Sequence, residues 1–170
     1  MRRVRYQVAC SLDGYIAGPN GEIDWITGAE DVDFGGLFAQ FDTLLMGRRT
    51  YEQVAGGTGG FGKMRIVVVS RTLRAEDHRG VEVVSRDVAA RVAELKEGEG
   101  RDIWLFGGGG LFRTLLAAGQ VDTIEPAIVP VVLGGGVPMY PSPFARARLR
   151  LTGHRVSEKG GLVLLEYTVL

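Results

Sequence analysis

The sequence predicts an α/β domain built on a mixed, mainly parallel sheet. Three observations carry this. Short, mostly apolar runs recur along the chain, as expected of strands covered on both faces. Helical spacings separate several of them, giving strand–helix–strand order through the middle. The chain closes on two longer strand-like runs joined by Glu158-Lys159-Gly160-Gly161, a turn signal for an antiparallel hairpin. With 170 residues, 45% of them hydrophobic, a single domain over 1–170 can bury a full core.

Taken in order, Val4 to Cys10 alternates as a strand does. Gly18-Pro19-Asn20-Gly21 then opens a turn-rich loop running to Trp25, of a kind that can serve as a lid. Thr43–Met46, Arg65–Val69, Val81–Val84 and Asp102–Phe106 are the short apolar strands. Residues 87–97 place Val88, Arg91, Val92 and Leu95 at helical spacing, with Asp87 as the expected cap. Residues 109–118 form a second helix, stopped near Gly119, and Val121–Val129 is a strand ended by Pro130. Arg148–Val156 and Leu162–Val169 are the final pair.

Bulk chemistry narrows the function classes. Lys+Arg and Asp+Glu both number 20, so a broad nucleic-acid surface, which needs basic excess, is not expected. Cys10 is the one cysteine; it ends a strand and reads as a buried thiol, and the count suits a reducing cytoplasm. No run approaches membrane-spanning length, and no charged segment followed by an apolar one opens the chain. His78 and His154 stand far apart without ligand-spaced neighbours, so no metal is expected.

The chemistry is carried by clusters at strand ends. Met46-Gly47-Arg48-Arg49-Thr50 and Gly107-Gly108-Gly109-Gly110 each follow an apolar run and lead into a helix. Free amides and the helix dipole make such openings anion sites, and Arg48, Arg49 and Thr50 add charge and a donor. Four glycines let a pyrophosphate approach the backbone, or equally serve a tight strand-to-helix turn. Ser70-Arg71-Thr72 is a third polar set, where an arginine suits a 2′-phosphate. Together these suit a dinucleotide. Gly57-Thr58-Gly59-Gly60-Phe61-Gly62 matches the dinucleotide fingerprint by letter, but neither follows a strand nor opens a helix, and is expected to be a surface loop. Glu30, Asp31 and Asp33 precede Phe34, and the four-residue spacing of Glu30 and Phe34 places them on one face of a helix. A carboxylate beside an aromatic ring can grip a flat heterocycle; the alternative is a solvated acidic helix start.

In this order, Ser11–Ala17 with Trp25, Gly47–Glu52, Ser70–Thr72, Gly107–Gly110 and Pro130–Pro138 resemble the dihydrofolate reductase superfamily. They are most similar to standalone bacterial members related to the reductase domain of the riboflavin-biosynthesis deaminase-reductase. The resemblance implies an eight-stranded mixed sheet and NADPH as hydride donor. It implies that backbone groups of Ala9 and Ile16 hold the nicotinamide carboxamide. Gly47, Arg48, Arg49 and Thr50 would hold phosphates, and Ser70, Arg71 and Thr72 would surround the adenosine end. Gly107 and Gly108 match a pair joined by a cis peptide, with Gly109 and Gly110 at the pyrophosphate. Glu30 or Asp31 would orient the substrate beside Trp25 and Phe34. Dihydrofolate or a related pterin is the first expected substrate. A ribosylaminopyrimidine phosphate is the second, although riboflavin-pathway reductases usually carry lysine where this chain has Gln7 and Tyr15. A nucleotide-binding module without turnover is the alternative of another class. Related domains pair through their terminal strands, and apolar Leu162, Leu164, Val169 and Leu170 suggest a homodimer.

Overall fold

A computed structural model describes residues 1–55, 61–144 and 146–170; Gly57 to Gly60 of the fingerprint-like stretch lie outside the described residues. Ten strands and four α-helices are described: β1 (Val4–Ser11), β2 (Tyr15–Ala17), α1 (Phe34–Phe38), β3 (Phe41–Gly47), α2 (Arg48–Val54), β4 (Arg65–Val69), β5 (Val81–Val84), α3 (Val88–Glu97), β6 (Asp102–Gly107), α4 (Gly109–Ala117), β7 (Thr123–Val129), β8 (Val137–Pro138), β9 (Leu149–Val156) and β10 (Val163–Val169).

Eight strands form one sheet in the order β5-β4-β3-β6-β1-β7-β10-β9. The first six are mutually parallel, while β10 runs antiparallel to both β7 and β9. This is the expected α/β class, with its mainly parallel sheet and C-terminal hairpin. Strand alternation sorts the helices. Leu45, Val67, Ile103 and Leu105 face Val92 and Leu95 of α3 and Phe112 and Leu115 of α4. Leu44, Met46, Val68 and Trp104 face the other way, onto Tyr51 of α2 and Leu37 and Phe38 of α1. The chain from β3 therefore leaves to one side of the sheet and the chain from neighbouring β6 to the other. That divergence opens a crevice at the carboxyl ends of β3 and β6, the usual ligand position in such sheets.

The second sheet is the small ribbon β2–β8. It had no separate sequence signal, because each strand is too short to show a period. It is held by tertiary bonds: Met139 N–H donates to the Gly14 carbonyl at 2.9 Å, and Leu12 N–H to that of Val131 at 2.8 Å. The Asp13 carboxylate accepts from the amides of Leu133 (3.0 Å) and Gly134 (2.8 Å). The Ser11 hydroxyl and these amides hold Asp13 below the usual carboxylate range.

Three expectations are corrected. Asp87 precedes α3, but its backbone is left-handed (φ 48°) and its side chain caps nothing, since a side-chain cap needs an extended backbone. Glu30 and Phe34 do not share a helical face, because α1 begins only at Phe34 and Asp33 supplies its cap, accepting from Gly36 N–H at 2.9 Å. Of the apolar residues expected to be exposed at the C-terminal hairpin, Leu170 is, but Leu162 is buried and Leu164 and Val169 are half-buried; the other exposed apolar residues there lie on edge strand β9, at Leu149, Leu151 and Val156.

Candidate active site

The crevice is built from two strand-to-helix turns. Met46 of β3 pairs with Gly107 of β6, so the turns lie side by side. The Gly107–Gly108 peptide is cis, and Gly107 has φ 139°, a region where a side chain is strained. A Cβ on Gly107 or Gly108 would lie 3.6 or 3.5 Å from Thr50 Oγ1, which places the α2 threonine against the β6 turn. In α4 the first helical amide bond is Phe112 N–H to the Gly108 carbonyl. The amides of Gly109, Gly110 and Leu111 thus have no acceptor within the helix. The two inner glycines differ. A Cβ on Gly109 would stand 2.7–2.9 Å from Pro138 O, Pro141 Cδ and Met139 O, whereas one on Gly110 would meet nothing within 4 Å. Packing on 138–141 therefore requires Gly109, and open space lies before Gly110.

The arginines stand at the rim. Arg48 pairs with Glu52 one turn later at 2.9 Å, both exposed, a pair that costs little to open. Arg49 and Arg71 are exposed and have no ion-pair partner among the described residues. Ser70 is buried, and its hydroxyl accepts from Thr72 N–H (3.1 Å) and Leu73 N–H (2.9 Å); it shapes the turn that presents Arg71.

A second opening lies on the α1 side of the sheet. β1 has neighbours on both sides, yet Gln7 and Ala9 are only half-buried, as are Ala127 on β7 and Phe106 on β6. Alternation puts all four on one face: Ala9 pairs with Ala127, Gln7 with Glu125 and Arg5 with Trp104. Aromatic rings surround this floor. Phe61 lies 5.2 Å from Phe106, Phe38 is 6.0 Å from Phe61, and exposed Phe34 is 6.0 Å from Phe38. Phe38, Phe61 and Phe106 were missed in the sequence, because a lone phenylalanine in a strand or loop looks like core. Deeper on the same face, Arg5 grips both Glu125 oxygens at 2.7 Å and lies over the Phe41 ring.

The loops fall around these openings. Trp25 is half-buried and its Nε1–H donates to the Glu22 carbonyl at 2.9 Å, folding loop 18–25 on itself. Ile16 lies in β2, against the main core. Glu30 is exposed in the turn before α1. Asp31 is not free for a ligand: its carboxylate accepts from the Ser157 hydroxyl and from Glu158 N–H (3.1 Å), while Arg155 donates to its carbonyl at 3.0 Å. The Ser157 bond holds Asp31 below the usual carboxylate range. Cys10 is buried, and burial pushes its thiol up to about 11, which leaves it protonated and inert. Among the described residues, no group of three or more acidic, histidine or cysteine side chains is arranged to hold a metal, and no helix is long and apolar enough to cross a membrane.

Comparison with known proteins fits this geometry. Residues 2–163 match the RibD C-terminal domain. The chain belongs to that family. Two relatives from Bacillus subtilis, the uncharacterized proteins YyaP and YwjB, are each 31% identical over 172 residues, covering 94% and 98% of this chain and 91% and 97% of theirs. Among solved structures, a Shewanella protein with a provisional riboflavin-biosynthesis assignment superposes with a TM-score of 0.83 at 25% identity, covering 100% of this chain and 99% of that one. The Thermotoga maritima diaminohydroxyphosphoribosylaminopyrimidine deaminase/5-amino-6-(5-phosphoribosylamino)uracil reductase gives 0.73 at 19%, covering 99% of this chain and 57% of that one. Dihydrofolate reductase from Enterococcus faecalis, complexed with NADP(H), gives 0.72 at 18%, covering 98% and 96%. The expected dihydrofolate-reductase-like fold is thereby shown.

Proposed function

We propose that this protein is an NADPH-dependent reductase of a flat, nitrogen-containing heterocycle from the riboflavin-precursor class. The observation that carries the reading is the adjacency of two openings: a glycine turn with free α4 amides, and a half-open floor ringed by phenylalanines. Of the two substrates expected from the sequence, the family match favours the ribosylaminopyrimidine phosphate over dihydrofolate.

The residues present fit the cofactor. Open space before Gly110 and the free amides of α4 suit a pyrophosphate, with Thr50 as a further donor and Gly47 and Gly108 keeping the walls low. Arg48 and Arg49 supply positive charge, and Ser70 and Thr72 hold the turn from which Arg71 meets the 2′-phosphate. Ala9 and Ile16 border the site for the nicotinamide. When bound, NADPH supplies a hydride. The chain's own work is positioning and water exclusion: the phenylalanines hold the substrate ring flat, loop 18–25 covers the crevice, and the Glu30 carboxylate accepts from substrate N–H groups. The Asp31–Ser157 clasp fixes the backbone that carries Glu30. The test is NADPH oxidation with 5-amino-6-(5-phosphoribosylamino)uracil set against dihydrofolate. Faster turnover of the first is expected; no cofactor binding and no turnover would overturn the reading.

We further propose a cytoplasmic homodimer. Edge strand β9 is exposed along its length and carries Leu149, Leu151 and Val156, and pairing with a second copy would protect it. Sedimentation at micromolar concentration should give twice the 18.4 kDa chain mass; a monomer would refute it.

A further inference from the structure

Residues 24–34 carry Glu30 and Phe34 yet have little of their own to hold them. They form no strand or helix before Phe34, and none of the five residues of α1 is buried. A helix that short is marginal without such packing. Among the described residues, every hydrogen bond from 24–34 to a residue beyond 22–37 goes to the end of the β9–β10 hairpin. There, Arg155 Nη2 donates to the Asp31 carbonyl at 3.0 Å, and Glu158 N–H to the Asp31 carboxylate at 3.1 Å. Ser157 is 1% exposed; its hydroxyl donates to the same carboxylate and accepts from Gly160 N–H at 3.1 Å, so one side chain closes the turn and grips the loop. Beside it two glycine backbones touch. A Cβ on Gly28 would lie 2.8 Å from Gly160 Cα and O, and one on Gly160 would overlap the Gly28 carbonyl. The hairpin end is itself in register with the floor. Ala9, Ala127, Leu164 and Arg155 stand opposite one another across four neighbouring strands, so their side chains share one face.

Resting on the reductase reading for Glu30 and Phe34 as substrate contacts, we infer that the β9–β10 turn, and not α1, positions the substrate loop, with Ser157 as its positioning residue. Ser157 acts through Asp31 and Gly28. It fixes where the Glu30 carboxylate and the Phe34 ring stand relative to the Ala9–Ala127 row. The hairpin carries the register of the sheet, strand by strand, to a loop with no regular structure of its own. Losing that reference displaces the carboxylate from the donors it must meet, and a misplacement of about 1 Å can cost about 100-fold in rate. The two glycine and arginine turns after β3 and β6 share no hydrogen bond with 24–34 among the described residues, so cofactor binding should not feel the change.

The test compares Ser157→Ala, Asp31→Ala and Gly160→Ala with the wild type. Gly160→Ala removes no polar group, and the Gly160 backbone lies outside the left-handed region, so its methyl acts by pushing on Gly28. With 5-amino-6-(5-phosphoribosylamino)uracil, each variant should raise the substrate KM and lower kcat, with kcat/KM down at least about tenfold. The NADPH dissociation constant should stay unchanged. Because Ser157 and Asp31 form one clasp, the double variant should be no more than about threefold worse than the poorer single one. Amide exchange should quicken across 28–34 and not in the sheet. Unchanged kcat and KM in variants whose 28–34 amides exchange faster overturn the inference and leave the reductase reading standing. Losses that multiply in the double variant overturn it as well, since they mark independent roles, as does NADPH affinity that falls in step, which marks damage to the whole fold. A wild type that neither binds NADPH nor turns over the uracil overturns the reductase reading and the inference with it.

Discussion

Replacing Gly110 by alanine separates structure from ligand binding within the glycine run. A methyl at Gly110 meets nothing within 4 Å, and the residue is the second of α4, so the folded state accepts it without strain. Exchanging glycine for alanine in a helix is worth about 0.5–1 kcal/mol. For a chain of this size that raises the melting temperature by roughly 1–4 °C. The same methyl occupies the space through which a pyrophosphate would reach the amides. For the wild type, NADPH at 100 times its Kd adds about 2.7 kcal/mol, or roughly 5–10 °C. If the methyl weakens binding about tenfold, the same NADPH concentration adds only about 1.4 kcal/mol and the shift halves. The expected signature in scanning calorimetry is therefore a higher melting point without ligand and a halved shift with it. Gly109→Ala is the contrast: its methyl would stand 2.7–2.9 Å from three atoms of the 138–141 segment, and overpacking should cost about 1–3 kcal/mol before any ligand is added. A Gly110→Ala protein that keeps the full NADPH shift would refute α4 as the pyrophosphate site.

Arg71→Ala should weaken NADPH by about 1.5–3 kcal/mol while leaving NADH nearly unchanged, measured as paired dissociation constants. Glu125→Gln should cost about 3 kcal/mol in denaturant unfolding, because it leaves the buried Arg5 guanidinium with only the more distant Asp102 carboxylate, at 3.6 Å, as counter-charge. Asp31, held below its ordinary value by Ser157, makes the clasp pH-dependent. A depressed carboxylate stabilises the fold above the unfolded value of 3.8 and loses that contribution as pH falls through its lower folded value. Amide exchange in residues 28–33, referred to the pH-dependent intrinsic rates, should therefore lose protection on acidification below about pH 4, and Asp31→Asn should show lowered protection already at neutral pH.

The main strands were legible because each is an apolar run bounded by glycine, proline or charge, and covered on both faces by the fold. Their bounds moved by a few residues: β3 starts at Phe41 because Phe41 packs on Trp104 at 5.1 Å, a contact no local pattern announces. The two strand-to-helix turns proposed to hold the cofactor were legible too, since their glycines and arginines are contiguous in sequence. The opening proposed for the substrate was not. Its floor takes Gln7, Phe106 and Ala127 from three strands, and its acids are divided by a bond to Ser157, which lies 126 residues from Asp31. Helical spacing could not separate Glu30 from Asp31, because no helix exists there.

The position of β1 has a consequence for biosynthesis. This first strand pairs only with β6 and β7, with Val4 opposite Ile103 and Ser11 opposite Val129. Until synthesis has reached β6, where Ile103 pairs with Val4, the residues Val4, Tyr6 and Val8 have no sheet to enter. Meanwhile β3, β4 and β5 can already pair with one another. The nascent chain must carry an apolar, strand-forming segment unprotected through most of its synthesis, in the manner of slow, long-range topologies. The charges at Arg2, Arg3 and Arg5 then act twice: on the emerging chain they keep that segment in water, and in the finished protein they are tied down by Asp42, Asp102 and Glu125.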